Sequence, residues 1–153
     1  MKISRKGEYA LKALIELAIN YARGETITLI NDVAERKAIP QKYLEQILLS
    51  LKNEGILVSK RGVGGGYALS RPPGDINLGE IIRAVEGPLA PLNCVSVSGH
   101  VNCPDESSCA LYGVMLEVRD AVAGILDNTS LEDVARRTVD LVERRSGVPN
   151  YAI

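Results

Sequence analysis

What is missing from this 153-residue chain narrows its possible functions first. No apolar run approaches the ~20 residues needed to span a bilayer. The opening stretch, MKISRKGEYALKALIEL, begins with charge, but Glu8, Lys12 and Glu16 break its apolar part, so it does not read as a secretion signal. A cytoplasmic location with reduced thiols is therefore the expectation. There is one histidine in all, His100, and no nucleophile–base pairing to suggest catalysis. Gly62, Gly64, Gly65 and Gly66 lead into strand-like Tyr-Ala-Leu and not into Lys-Ser/Thr and a helix, which excludes a phosphate loop. No dinucleotide fingerprint occurs, and an enzyme is not expected. The three cysteines include no close Cys-x2-4-Cys pair of the structural zinc kind. Their odd number fits metal ligands better than a disulfide framework.

What is present is a strong charge asymmetry. Residues 1–71 hold 12 Lys/Arg against 7 acids, a net +5, while the remainder holds 6 against 12, a net −6. A positive front half suits phosphate contact. Within it, LEQILLSLKNEGILVSKRGVGGGY passes from an amphipathic helix through Gly55 into a short apolar strand over 56–59. A basic, glycine-rich tip over 60–66 comes next, and a second strand opens at Tyr67. A helix joined at once to a basic hairpin is the outline of a winged helix, which points to duplex DNA.

Apolar spacing predicts a first helix over 8–22. A short second helix is expected near 29–37, with Thr28 as its cap. Pro40 suits the first position of a third helix, in which Leu44, Ile47, Leu48 and Leu51 form the inward stripe. The opposite face shows Lys42, Glu45, Gln46, Leu49 and Lys52. Gln46 can pair with adenine and Glu45 can accept from cytosine. Lys42 and Tyr43 are placed for phosphates, which set register but not sequence. In the wing, Gly64 and its neighbours permit the tight hairpin. Arg61 is a candidate for a narrow minor groove and Lys60 for a backbone contact.

After Arg71-Pro72-Pro73-Gly74 a short helix is expected over 77–86, and then an irregular loop over 88–109. From Ala110, Leu111, Met115, Val118, Val122 and Ile125 recur at intervals of 4, 3, 4 and 3. That heptad seam predicts a long helix over 110–128 that pairs either two subunits or the helix and its own core. A dyad-symmetric duplex site favours two copies. Ser130 can cap a last helix through about Arg144, and the tail over 147–153 is expected to be mobile. The fold expected is mainly α with a small β-wing. Residues 1–72 form the winged helix-turn-helix, and 73–153 carry the loop and the dimerisation helix.

The loop reads Cys94-VSVSGHVN-Cys103-PDESS-Cys109. Thiolates suit zinc, copper(I) or iron–sulfur clusters, and wide spacing in a polar loop is more natural for a cluster. Three cysteines supply three of four positions. A thiol switch, in which Cys103 and Cys109 form a disulfide, is the competing reading. A zinc-stabilised adaptor is a further one.

MKISRKGEYAL, IPQKYLEQIL, LVSKRGVGGGYAL and NLGEIIRAVEGP, together with three loop cysteines, resemble the IscR/NsrR/CymR group of bacterial winged-helix regulators over residues 1–130. The resemblance implies homodimers on palindromic promoter DNA that respond to iron–sulfur status, nitric oxide or redox state. It also implies that IscR-like members control genes of cluster assembly. Glu45, Gln46 and Arg61 match groove-reading positions. The interval of eight residues after Cys94 exceeds the group's usual five, and Tyr112 replaces the IscR-type histidine. The resemblance leaves the fourth ligand as Glu8, ahead of His100 and then Tyr112. A [2Fe–2S] cluster is favoured, with [4Fe–4S] as the alternative.

Overall fold

The computed structural model describes residues 2–147. The chain forms α1 (Arg5–Ala22), α2 (Ile30–Lys37), α3 (Gln41–Asn53), β1 (Leu57–Lys60), β2 (Gly66–Leu69), α4 (Leu78–Glu86), α5 (Ala110–Asp127) and α6 (Leu131–Ser146). Among the described residues, six α-helices and a two-stranded antiparallel wing make the winged-helix architecture.

Helix α1 starts three residues earlier than apolar spacing indicates, because Ser4 caps it by accepting from the Gly7 amide at 3.1 Å. Its buried face sets Leu14, Leu17 and Ile19 among small residues, of which Ala10, Ala13 and Ala18 are at 0–1% exposure. Small side chains let α3, α4 and α6 approach it closely. In α3, Leu44, Ile47, Leu48 and Leu51 are all buried, as their periodicity requires.

Two expectations drawn from local sequence are corrected by the fold. Thr28 does not cap α2. It is buried and pairs with Tyr67 through both backbone hydrogen bonds (2.8 and 2.9 Å), adding a bridge to the wing, while its Oγ1 accepts from Asn20 at 3.1 Å. Leu29 holds the cap position, with no side-chain bond. Pro40 is the cap residue of α3 and not its first helical residue, since its carbonyl accepts from the Leu44 amide at 2.9 Å.

The strands pair Leu57 with Leu69 and Lys60 with Gly66, each one residue away from the expected limits. The wing needs its glycines at two points. Gly64 has φ 73°, a left-handed conformation, and a Cβ at Gly66 would lie 2.4 Å from the Thr28 carbonyl oxygen.

A single buried cluster runs across position 72. It joins Leu14, Leu44, Ile47 and Leu57 to Ile76, Ile81, Leu131 and Ala135. Helix α6 lies along α1, so the last helix belongs to the core of the winged-helix half. Ser130 caps α6 as expected, within a full capping box with Asp133. Of the tail expected to be mobile, 148–153 lie outside the described residues; Gly147 ends α6 with φ 65°.

Candidate nucleic-acid interface and sensor loop

Lys42, Glu45, Gln46, Leu49 and Lys52 stand exposed on the outer face of α3. Lys60, Arg61 and Gly64 are exposed on the wing. A cleft of about 480 Å³ lies between them, lined by Leu49 and Lys52 of α3, Lys60 and Arg61 of the wing, and Asn31 of α2. Glu45 and Gln46 lie one turn nearer the start of α3, and Glu45 accepts a hydrogen bond from Gln41 at 3.3 Å. Neither α2 nor α3 has a side-chain cap, so the first N–H groups of both are left open. The first turn of α3 carries no acid. Tyr43 is less free than its neighbours. Its half-buried ring meets Tyr9 edge-on at 5.7 Å, and the Arg5 guanidinium lies 5.9 Å from the Tyr9 ring centre.

Not every cation of the front half is available to phosphate. Glu16, on α1, is buried and pairs with Arg36 at 2.8 Å and Lys37 at 3.0 Å. Burial pushes its carboxyl upward, but the hydrogen bonds and charges of Arg36 and Lys37 outweigh this and hold it below the usual carboxylate range. In the sequence Glu16 interrupts an apolar run and nothing marks its partners on α2. Asn31 in the cleft and Val63, which stands wholly exposed at the wing tip, likewise follow no pattern.

The loop over 88–109 is ordered at its start and open further on. Leu89, Val95 and Ser96 are buried. The Arg119 guanidinium, from α5, donates to the Val95 carbonyl at 2.8 Å, and the Val101 amide donates to the Asn93 carbonyl at 3.2 Å. Cys94 is half-buried in the short 3-10 turn Asn93–Val95 that these bonds hold against α5. Cys103 is exposed, and Cys109 is half-buried at the cap of α5. All three thiols are free. His100 is engaged within its own loop, 3.0 Å from Asn102 Oδ1 and 3.6 Å from Glu106. Glu8 pairs with Lys12 at 2.6 Å, and this hydrogen bond and charge hold its carboxyl below the usual range. Tyr112 is half-buried on the first turn of α5.

Among the described residues, no three His, Cys, Asp or Glu side chains close around a point that could hold a metal ion. The chemistry of the sulfur set fits a soft metal or a cluster, whereas its members are not drawn together in one protomer.

Helix α5 buries none of its residues, although it is 18 residues long. It touches α4 and the turn at Cys94. Met115, Arg119, Val122 and Leu126 are half-buried on that side. Leu111, Val114, Val118 and Ile125 are 52%, 54%, 41% and 68% exposed. The heptad is one stripe at the border of the covered side: Met115 and Val122 on its inner edge are half-buried, and Leu111, Val118 and Ile125 on its outer edge are open. The far end of α5 is tied to α4 by a two-pronged Arg83–Asp127 pair (2.7 and 2.8 Å), which holds the Asp127 carboxyl below its ordinary value. The end of α4 is tied in turn to the start of α1, where the Glu86 carboxylate accepts from the Ser4 amide at 2.9 Å and from its hydroxyl. No helix among the described residues is long and apolar enough to cross a membrane.

A model of the Rrf2 family, described as an iron-dependent transcriptional regulator, matches residues 3–137. An HTH-type transcriptional regulator named rrf2-like, from Rhodobacter capsulatus, is 40% identical over 136 residues, covering 86% of this chain and 91% of that protein. Among solved structures, CymR, the global cysteine regulator of B. subtilis, superposes with a TM-score of 0.73 at 37% identity, covering 90% of this chain and 98% of that one. IscR of T. potens does so with a TM-score of 0.71 at 31% identity, covering 90% and 88%. The chain belongs to the Rrf2 family of DNA-binding transcriptional regulators, the group that includes IscR and CymR.

Proposed function

We propose that two copies of this chain bind a palindromic promoter, and that chemistry at Cys94, Cys103 and Cys109 controls the binding through an iron–sulfur cluster. Residues 1–72 read DNA through Lys42, Tyr43, Glu45, Gln46, Lys60, Arg61 and the Gly64 hairpin. Residues 73–130 sense and pair, while α6 packs along α1 in the reading half. The observation that carries this is the attachment of two of the three free thiols to a helix with an exposed apolar stripe: Cys109 caps α5, and Arg119 holds the Cys94 turn against it. A helix that buries nothing of its own and exposes Leu111, Val114, Val118 and Ile125 gains most by pairing with its equivalent.

The three cysteines would hold the cluster, with Glu8 of the other copy or His100 completing the set; a bound cluster supplies a redox- and oxygen-sensitive link among them. The remaining residues transmit the state of the loop. Cys94 and Cys109 both ride on α5. Arg83 connects the other end of α5 to α4, and Glu86 connects α4 to α1. A shift of α5 therefore changes how the two reading helices are presented. The iron-dependent description of the family supports this reading. Genes of cluster assembly are the favoured targets, and a nitric oxide response is an alternative signal.

A second reading draws on the exposure of Cys103, on the dispersed donors, and on the likeness to a cysteine regulator. Here a peroxide takes two electrons from the Cys103 and Cys109 thiols, their sulfurs join, and water forms from its oxygens and the released protons. One experiment separates the two. Protein purified without oxygen is assayed for iron, sulfide and visible absorption. Its affinity for a duplex selected from a random-sequence library is then measured by fluorescence anisotropy, before and after chelation, and separately after peroxide with disulfide mapping. Colour and a chelation-dependent affinity support the cluster. Colourless protein whose affinity changes only on forming Cys103–Cys109 supports the thiol switch. Affinity unchanged in every arm overturns both.

A further inference from the structure

We infer that Leu49 selects thymine by packing on its 5-methyl group in the major groove. The inference rests on the DNA-reading face proposed above and on nothing in the sensor loop. The other leucines and the isoleucine of α3 are 0–1% exposed, whereas Leu49 is 50% exposed. It stands one helical turn after Glu45 and Gln46 on the same outer face, at the i+4 and i+3 positions. It lines the cleft with Leu29 and Ile30 at the start of α2 and with the cations Lys52, Lys60 and Arg61, which flank it where a phosphate backbone would approach.

An apolar side chain left open amid charge gains nothing from water. On a major-groove floor it meets acceptors, amino groups and one apolar feature, the thymine methyl. Leu49 cannot donate or accept, so it cannot tell G from A. It can distinguish a methylated pyrimidine from a bare one by the area each removes from water. Gln46, three residues earlier, can pair with adenine, so the thymine read by Leu49 lies within a base step or two of that adenine.

The test begins with duplexes selected from a random-sequence library by the full-length protein. The best duplex is resynthesised with deoxyuridine replacing thymidine at one position at a time, which removes only the methyl. One position per half-site should weaken wild-type binding about fourfold, the value of one buried methyl, and about fifteenfold when both half-sites are changed. With Leu49→Ala the thymidine-to-deoxyuridine ratio at that position should fall to about one. Leu49→Met, which still reaches the methyl, should keep most of it. If Leu49→Ala binds too weakly to measure, Leu49→Val carries the same comparison. A scan with no sensitive position, or a ratio unaltered by these substitutions, overturns the inference. Equal losses on both duplexes would do so too, since they would make Leu49 a contact without base preference. A library that yields no bound sequence overturns the reading face as well.

Discussion

Removing the carboxylate of Glu16 tests the electrostatic joint that fixes α2 against α1. Its side chain is 8% exposed, while those of Arg36 and Lys37 are 54% and 26% exposed. The three are therefore unequal. Glu16→Gln keeps the volume and removes a buried charge together with two charge-assisted contacts. The two cations can return to water, so the net loss is about 2 kcal/mol, or about 6 °C in midpoint for a chain of this size. Replacing both cations with alanine does more harm, because Glu16 then keeps its charge without a partner. That loss is about 3–5 kcal/mol at neutral pH.

The pH dependence separates the two variants. In the wild type the folded carboxyl lies below its unfolded value. Its stabilising contribution is complete above the unfolded value of about 4.3 and is lost as pH falls through the folded one. In the double-alanine variant only burial remains, so the folded carboxyl lies above its unfolded value and the penalty disappears as pH falls. The stability gap between wild type and double variant should thus be widest near neutrality and shrink toward pH 4. Urea unfolding followed by far-UV circular dichroism at several pH values measures it. A Glu16→Gln loss below about 0.5 kcal/mol together with a gap constant in pH would refute the reasoning.

Other expectations concern pairing, the loop and α6. Val118→Glu and Ile125→Glu should leave the circular dichroism unchanged, since both positions are exposed. Each occurs twice across a two-fold contact, so the dissociation constant read by sedimentation should rise about a hundredfold; unchanged sedimentation would remove α5 from the contact. In metal-free protein, iodoacetamide should label Cys103 ahead of Cys94 and Cys109, as peptide mass spectrometry will show. Arg119→Met should accelerate labelling of Cys94 alone, by freeing the Val95 carbonyl. Ser130→Ala should cost about 1 kcal/mol through loss of the capping box, lowering the thermal midpoint without altering DNA affinity well below it.

Local signals in the sequence carried much of this architecture. The stripe of α3 is set by contacts one turn apart, so its period survives into the fold. The glycine-rich tip and the Ser130 cap are equally local. Thr28 could not be placed that way, because its partner Tyr67 lies far along the chain, on the second strand. The pairing of Glu16 with Arg36 and Lys37, and of Arg119 with Val95, has no periodicity to reveal it. The α5 seam was ambiguous because a stripe spaced at alternating intervals of 3 and 4 can be covered equally by the chain's own core or by a second copy. On the candidate interface, exposure of the α3 and wing residues is a direct result of burying the opposite stripe. The relative positions of Cys94, Cys103 and Cys109 depend on how an irregular loop lies against α5, and no spacing rule fixes that.

The backbone near Asn77 and near Ser130 is joined side by side: the Leu78 amide donates to Thr129 at 3.0 Å and the Leu131 amide to Ile76 at 2.8 Å. Everything from the start of α4 to the end of α5 is therefore an excursion that leaves and re-enters at one doorway. Beyond α4, which Ile81 anchors in the core, such an insert can tilt, lengthen or exchange its chemistry without unthreading the globule beneath it. Shortening the chain from its far end has the opposite character. Loss of α6 would uncover α1 and harm the reader before the sensor, although the reader is encoded first.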